Sequence, residues 1–139
     1  MTDWSNAQAP SLDEFEELAT AALESLPQPF RDLVRDVRCY VAEFAEENVL
    51  DELGIESEFD LMGLFTGVGM AQEGITPTGR MPNTVHLYRR PILDYWAEHE
   101  ETLGTVVTHV LIHEMGHHFG FSDEDMEGLE AQAAREADR

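Results

Sequence analysis

The chain predicts an α+β domain, and three observations predict it. Ser11 to Leu26 carries apolar residues at helical spacing. Val37 to Val41 and Thr84 to Tyr88 alternate apolar and polar residues with the period of two expected of half-buried strands. A long, mostly apolar stretch between Thr102 and Phe119 has the length of a helix and too many buried-type residues to lie on a surface.

Taken in order, Ser11 and Glu14 form an S-x-x-E capping signature, followed by Phe15, Leu18, Ala22 and Leu26 on one helical face, and Pro27 and Pro29 close that helix. A short helix is expected from Pro29 to about Val34. The strand after it places Cys39 on the apolar side with Val37 and Val41, so the thiol reads as core and not as a nucleophile. Asn48 to Leu53 has room for one or two helical turns that Gly54 ends, and Ile55 to Asp60 reads as an acidic surface loop. Leu61 to Met70 is apolar and rich in glycine, which predicts a strand with irregular backbone that another chain segment can approach closely. The prolines and glycines of 74–83 predict a loop, placed to form a rim or lid. Pro91 fits the first turn of a helix through Ile92, Leu93, Tyr95 and Trp96. The last helix follows Asp123, with Leu129, Ala133 and Ala137 on one face.

The chemistry concentrates in Val106 to Met126, where His113, Glu114, His117, Gly120 and Asp123 stand in the spacing HExxHxxGxxD. A step of four residues puts His113 and His117 on one helical face, about a turn apart, near enough to hold one metal ion. Glu114 lies about 100° around the helix from His113 and flanks the pair, as a general base needs. Catalytic zinc takes three protein ligands. Gly120 can end the helix and turn the chain so that Asp123 approaches as the third. His109, one turn before His113, reads as a satisfied buried histidine in preference to a supporting group, and His118 as packing or a hydrogen bond behind the site. Tyr88, Arg89, Arg90 and Tyr95 are the groups to search for a carboxylate or oxyanion contact, with ion pairing and core packing the better expectation. The acids Asp123, Glu124, Asp125 and Glu127 lack the spacing and glycine of an EF-hand loop.

Composition bounds the rest. A chain of 139 residues with 42% hydrophobic residues fits one domain, expected over 11–139 after a disordered segment at 1–10. Twenty-nine acidic residues against eight arginines give a net charge of -21, which disfavours nucleic acid and reads mainly as a solvated surface. One cysteine excludes an internal disulfide, and with no signal-like or membrane-spanning run the expected location is cytoplasmic. The residues leave the oligomeric state open.

HEMGHHFGFSD, with the upstream MPNTVHLYRRPILDYW, resembles a small bacterial zincin-like metallopeptidase family that carries HExxHxxGxxD in a minimal zincin fold; the resemblance spans about Leu12 to Ala133. It implies a small mixed sheet packed on helices around a central HExxH helix. It also implies one Zn2+ per chain held by His113, His117 and Asp123, with Glu114 as general base in the hydrolysis of a peptide or protein substrate. The glycine-rich stretch then stands where zincins lay an extended substrate along an edge strand. The longer metzincin motif is not matched, because Asp123 stands where its third histidine would be. The alternative is a binding or regulatory protein that keeps the scaffold without catalysis.

Overall fold

A computed structural model describes residues 4–66 and 83–137 of the chain. The expected lid and the end of the glycine-rich stretch lie outside the described residues. Among those described, six α-helices surround a three-stranded mixed sheet, an α+β architecture.

Helix α1 (Leu12–Glu24) starts where the capping signature places it. The Glu14 amide donates to Ser11 Oγ at 3.1 Å, and the Ser11 amide donates to Glu14 Oε1 at 2.9 Å, so two amides without helical partners are satisfied reciprocally. Hydrogen bonding to the Glu14 carboxylate from the Ser11 backbone amide, and then from its side chain, favours the ionised form and holds the carboxyl below the usual range. The buried face is Phe15, Ala19 and Leu23, with Leu18 and Ala22 partly buried at its margin. Leu26, just past the helix, is buried as well, so all four residues expected from the sequence pack on the core and Ala19 and Leu23 widen the face. After α2 (Phe30–Leu33), whose Phe30 is fully buried, strand β1 (Arg38–Ala42) enters the sheet.

Strand β3 (Thr84–Tyr88) is central, parallel to β1 with Cys39 opposite Val85, and antiparallel to β2 (Gly63–Thr66) with Gly63 opposite Leu87. Alternation divides the residues between two faces. Cys39, Val41, Phe65, Val85 and Leu87 pack in the main core, whereas Tyr88, Ala42 and Leu64 join Leu50 of α3 (Glu47–Leu53) in a smaller cluster. Burial pushes the Cys39 thiol up to about 11, so the thiol stays protonated near neutral pH, as expected of a core residue. Helix α3 ends at Gly54, and the acidic loop after it contains a short 3-10 turn at Glu58–Asp60.

Helix α4 (Arg89–Glu98) begins two residues earlier than Pro91, which still falls in the first turn where no amide donor is needed. Helix α5 (Leu103–His118) follows from Thr102, whose side chain accepts from the Thr105 amide. Val106, Val107, Val110, Leu111, Ile112 and Met115 are all buried, so α5 runs through the core as its sequence predicts.

The turn after α5 sets the geometry of the site. Gly120 has φ +87°, a conformation that favours glycine, and the chain reverses there. The Gly120 amide donates to the His117 carbonyl at 3.2 Å and the Phe121 amide to the Gly116 carbonyl at 2.9 Å, which together form a Schellman motif. Phe121 then packs on Phe30, with ring centroids 5.0 Å apart. Helix α6 (Asp123–Ala137) starts at once, its Asp125 amide donating to Ser122 Oγ at 3.1 Å while Asp125 accepts from the Ser122 amide. Buried Met126 and Leu129 seat α6 on the core beside α5. At Gly116 the two helices nearly touch: a Cβ there would lie 2.3 Å from Met126 Sδ.

Candidate metal centre

Because α5 has a histidine at every fourth residue from 109 to 117, the rings of His109, His113 and His117 form one row along the helix. Centroids of His109 and His113 are 4.2 Å apart, and those of His113 and His117 are 6.4 Å apart. The close contact at Gly116 and the short turn bring α6 alongside this row, and α6 presents two carboxylates to it. Asp123 Oδ1 lies 3.6 Å from His117 Nε2. Glu130, seven residues and about two turns further on, reaches both other rings. Its Oε2 is 3.3 Å from His113 Nε2, and its Oε1 contacts His109 Nδ1.

The residues singled out from sequence are thus partly brought together. His117 meets Asp123 through the turn at Gly120, while His113 faces Glu130. His109 is not the buried histidine expected, since its side chain is 42% exposed and held at the helix surface by Glu130. Nor is the whole motif enclosed: His113 is half-buried, but the His117 side chain is 65% exposed because it lies in the last turn of α5, beyond the core. His118 packs on Phe65, with ring centroids 4.3 Å apart, in keeping with a packing role. Glu130 was missed; the signal for it was the seven-residue interval from Asp123, which places both acids on one face of α6.

Glu114 sits on the side of α5 that faces β2. A Cβ at Gly63 would lie 3.2 Å from Glu114 Cγ and 2.9 Å from Val110 Cγ1, so only glycine lets this strand lie so close to the carboxylate. Burial raises the Glu114 carboxyl above its usual range, against the opposing pull of His113 and His117. Gly63→Ala is therefore expected to destabilise the fold by about 1–3 kcal/mol by overpacking and to displace the Glu114 side chain. Denaturant unfolding of the variant would measure the first effect, and unchanged stability would show that β2 can move away without loss.

Among the four groups considered for an anion contact, Arg89 donates to Glu43 Oε1 at 2.9 Å and to the Pro10 carbonyl at 2.8 Å, and Arg90 lies over the Phe44 ring at 5.7 Å. Tyr95 stacks on His99. These are structural contacts. Tyr88 is buried, and burial with the carboxylates of Glu46 and Glu114 holds its phenol above the usual range.

Two imidazole nitrogens with a neighbouring carboxylate oxygen make the donor set that catalytic zinc takes, so the chemistry of this row fits that ion. A sequence model of zincin-like metallopeptidases matches residues 34–133. The chain belongs to the zincin-like metallopeptidase family. Membership implies zinc binding and points to peptides as the class of substrate. No curated protein matches the chain. No helix among the described residues is long and apolar enough to cross a membrane.

Proposed function

We propose that the protein is a zinc-dependent peptidase in which His113, His117 and Asp123 hold the metal and Glu114 is the general base. One observation carries this reading: Glu114 is flanked by the two motif histidines and lies against β2, an edge strand of the described sheet. A peptide pairing with that edge would lie beside the strand that packs on Glu114. Zinc, when bound, would supply a Lewis acid that polarises the scissile carbonyl and makes a water acidic enough to lose a proton near neutral pH.

The protein's own groups do the rest. The edge strand aligns an extended substrate through main-chain hydrogen bonds. A Glu114 carboxylate oxygen accepts a proton as water adds to the carbonyl carbon, and burial, by making that carboxylate more basic, favours the transfer. When the C–N bond breaks, the same oxygen returns the proton to the leaving nitrogen.

The test is a mixed peptide library digested by protein stripped with a chelator and then given one equivalent of zinc. Cleavage that is absent after stripping and restored by zinc is expected. Zinc bound stoichiometrically without any cleavage would return the reading to a binding or regulatory protein on the same scaffold.

A further inference from the structure

We propose that the seam between α5 and α6 holds a second, overlapping divalent metal site made of His109, His113 and Glu130, which shares His113 with the motif set. Their ligand atoms all lie within 4.8 Å of one another. This inference rests on the proposed role of His113 and His117 but uses a different pair of partners.

The geometry has room for a cation at this place. An ionised Glu130 only accepts hydrogen bonds, and an imidazole nitrogen that carries no proton also only accepts. Oxygens and nitrogens facing one another here, with Oε1 against His109 Nδ1 and Oε2 against His113 Nε2, need a shared proton or a metal ion between them, and a neutral imidazole supplies the proton when its tautomer carries it on the facing nitrogen. Either a proton sits on each facing nitrogen or one metal ion replaces both. Two imidazole nitrogens and one carboxylate are also the ligand types of a three-ligand zinc site that leaves a position for water. The three side chains are 42%, 33% and 22% exposed, so they are partly desolvated and still reachable. A cleft of about 280 Å³ adjoins the pair His109 and Glu130, between Leu18 and Ala22 of α1, Thr105 of α5 and Ala133 of α6. The net charge of -21 favours cations over the whole surface.

Sharing has a consequence. His113 Nε2 can serve one ion at a time, so the two sets are alternatives and not a two-metal centre. An ion in the His109 set is displaced by four residues, about 6 Å along the axis, from an ion held between His113 and His117. That position parks the metal away from Asp123 while keeping it on the protein.

The experiment is a Co2+ titration followed by visible absorbance and calorimetry on the full chain, with far-UV circular dichroism to verify folding. Wild type, His117→Ala, His109→Ala, Glu130→Gln, and the double variants His117→Ala/His109→Ala and His117→Ala/Glu130→Gln are compared. One ion per chain is expected in wild type and in His117→Ala. Either double variant is expected to bind at least about 100-fold more weakly than His117→Ala alone. The inference is overturned if His117→Ala loses binding as fully as the doubles, or if wild type binds two ions. If instead His117→Ala binds as wild type does while His109→Ala and Glu130→Gln abolish binding, the seam site stands and the motif set fails. Two independent second substitutions guard against a folding defect in either.

Discussion

Glu114→Gln is expected to lower peptide hydrolysis by about 10²–10⁴-fold while leaving zinc bound at the wild-type stoichiometry. Glutamine has nearly the shape of glutamate, so the tight space between Gly63 and Val110 remains filled and neither motif histidine is touched. What disappears is the oxygen able to take a proton and pass it on. Gly63→Ala provides a useful contrast, because it retains the carboxylate and disturbs its position. Turnover should be measured under single-turnover conditions with zinc content determined on the same samples. If Glu114→Gln turns over at the wild-type rate, Glu114 is not the base. If it loses its zinc, the carboxylate belongs among the ligands.

Most of what could be read from the sequence is local. The capping pair Ser11 and Glu14, the helix-ending Gly120 and the buried spacing of α5 each depend on residues within a turn or two of one another, and each was expected where it is found. The interval between His113 and His117 is likewise a property of one helix. Glu130 is different in kind. Its contact with His113 exists only because Met126 packs against Gly116 and the Schellman turn sends α6 back along α5, and such an approach is decided by tertiary packing. The same holds for Ala19 and Leu23, whose burial widens the face of α1 beyond the expected Phe15, Leu18, Ala22 and Leu26. The close fit of β2 over Glu114 lies between the two cases: the glycines advertised a close approach, but nothing local named its partner.

His113→Ala is expected to produce the largest loss of metal binding of any single substitution, more than about 100-fold in affinity, which exceeds the usual effect of losing a group that only supports a ligand. His117 and Asp123 belong to one end of the histidine row, and His109 and Glu130 to the other, whereas His113 stands between Glu130 and His117. Removing an end residue leaves the opposite set complete; removing the middle one leaves neither. Thermal unfolding reads this out without any assay of turnover. A ligand that binds only the folded chain stabilises it by about 2.7 kcal/mol at a hundred times its dissociation constant. Zinc should therefore raise the wild-type midpoint clearly, raise it less in His117→Ala, and leave His113→Ala unmoved. His113 is half-buried at the helix surface, outside the apolar core, so the zinc-free variants should melt close to the zinc-free wild type. A zinc-dependent rise in His113→Ala equal to that of wild type would remove His113 from the metal centre and both ligand sets with it.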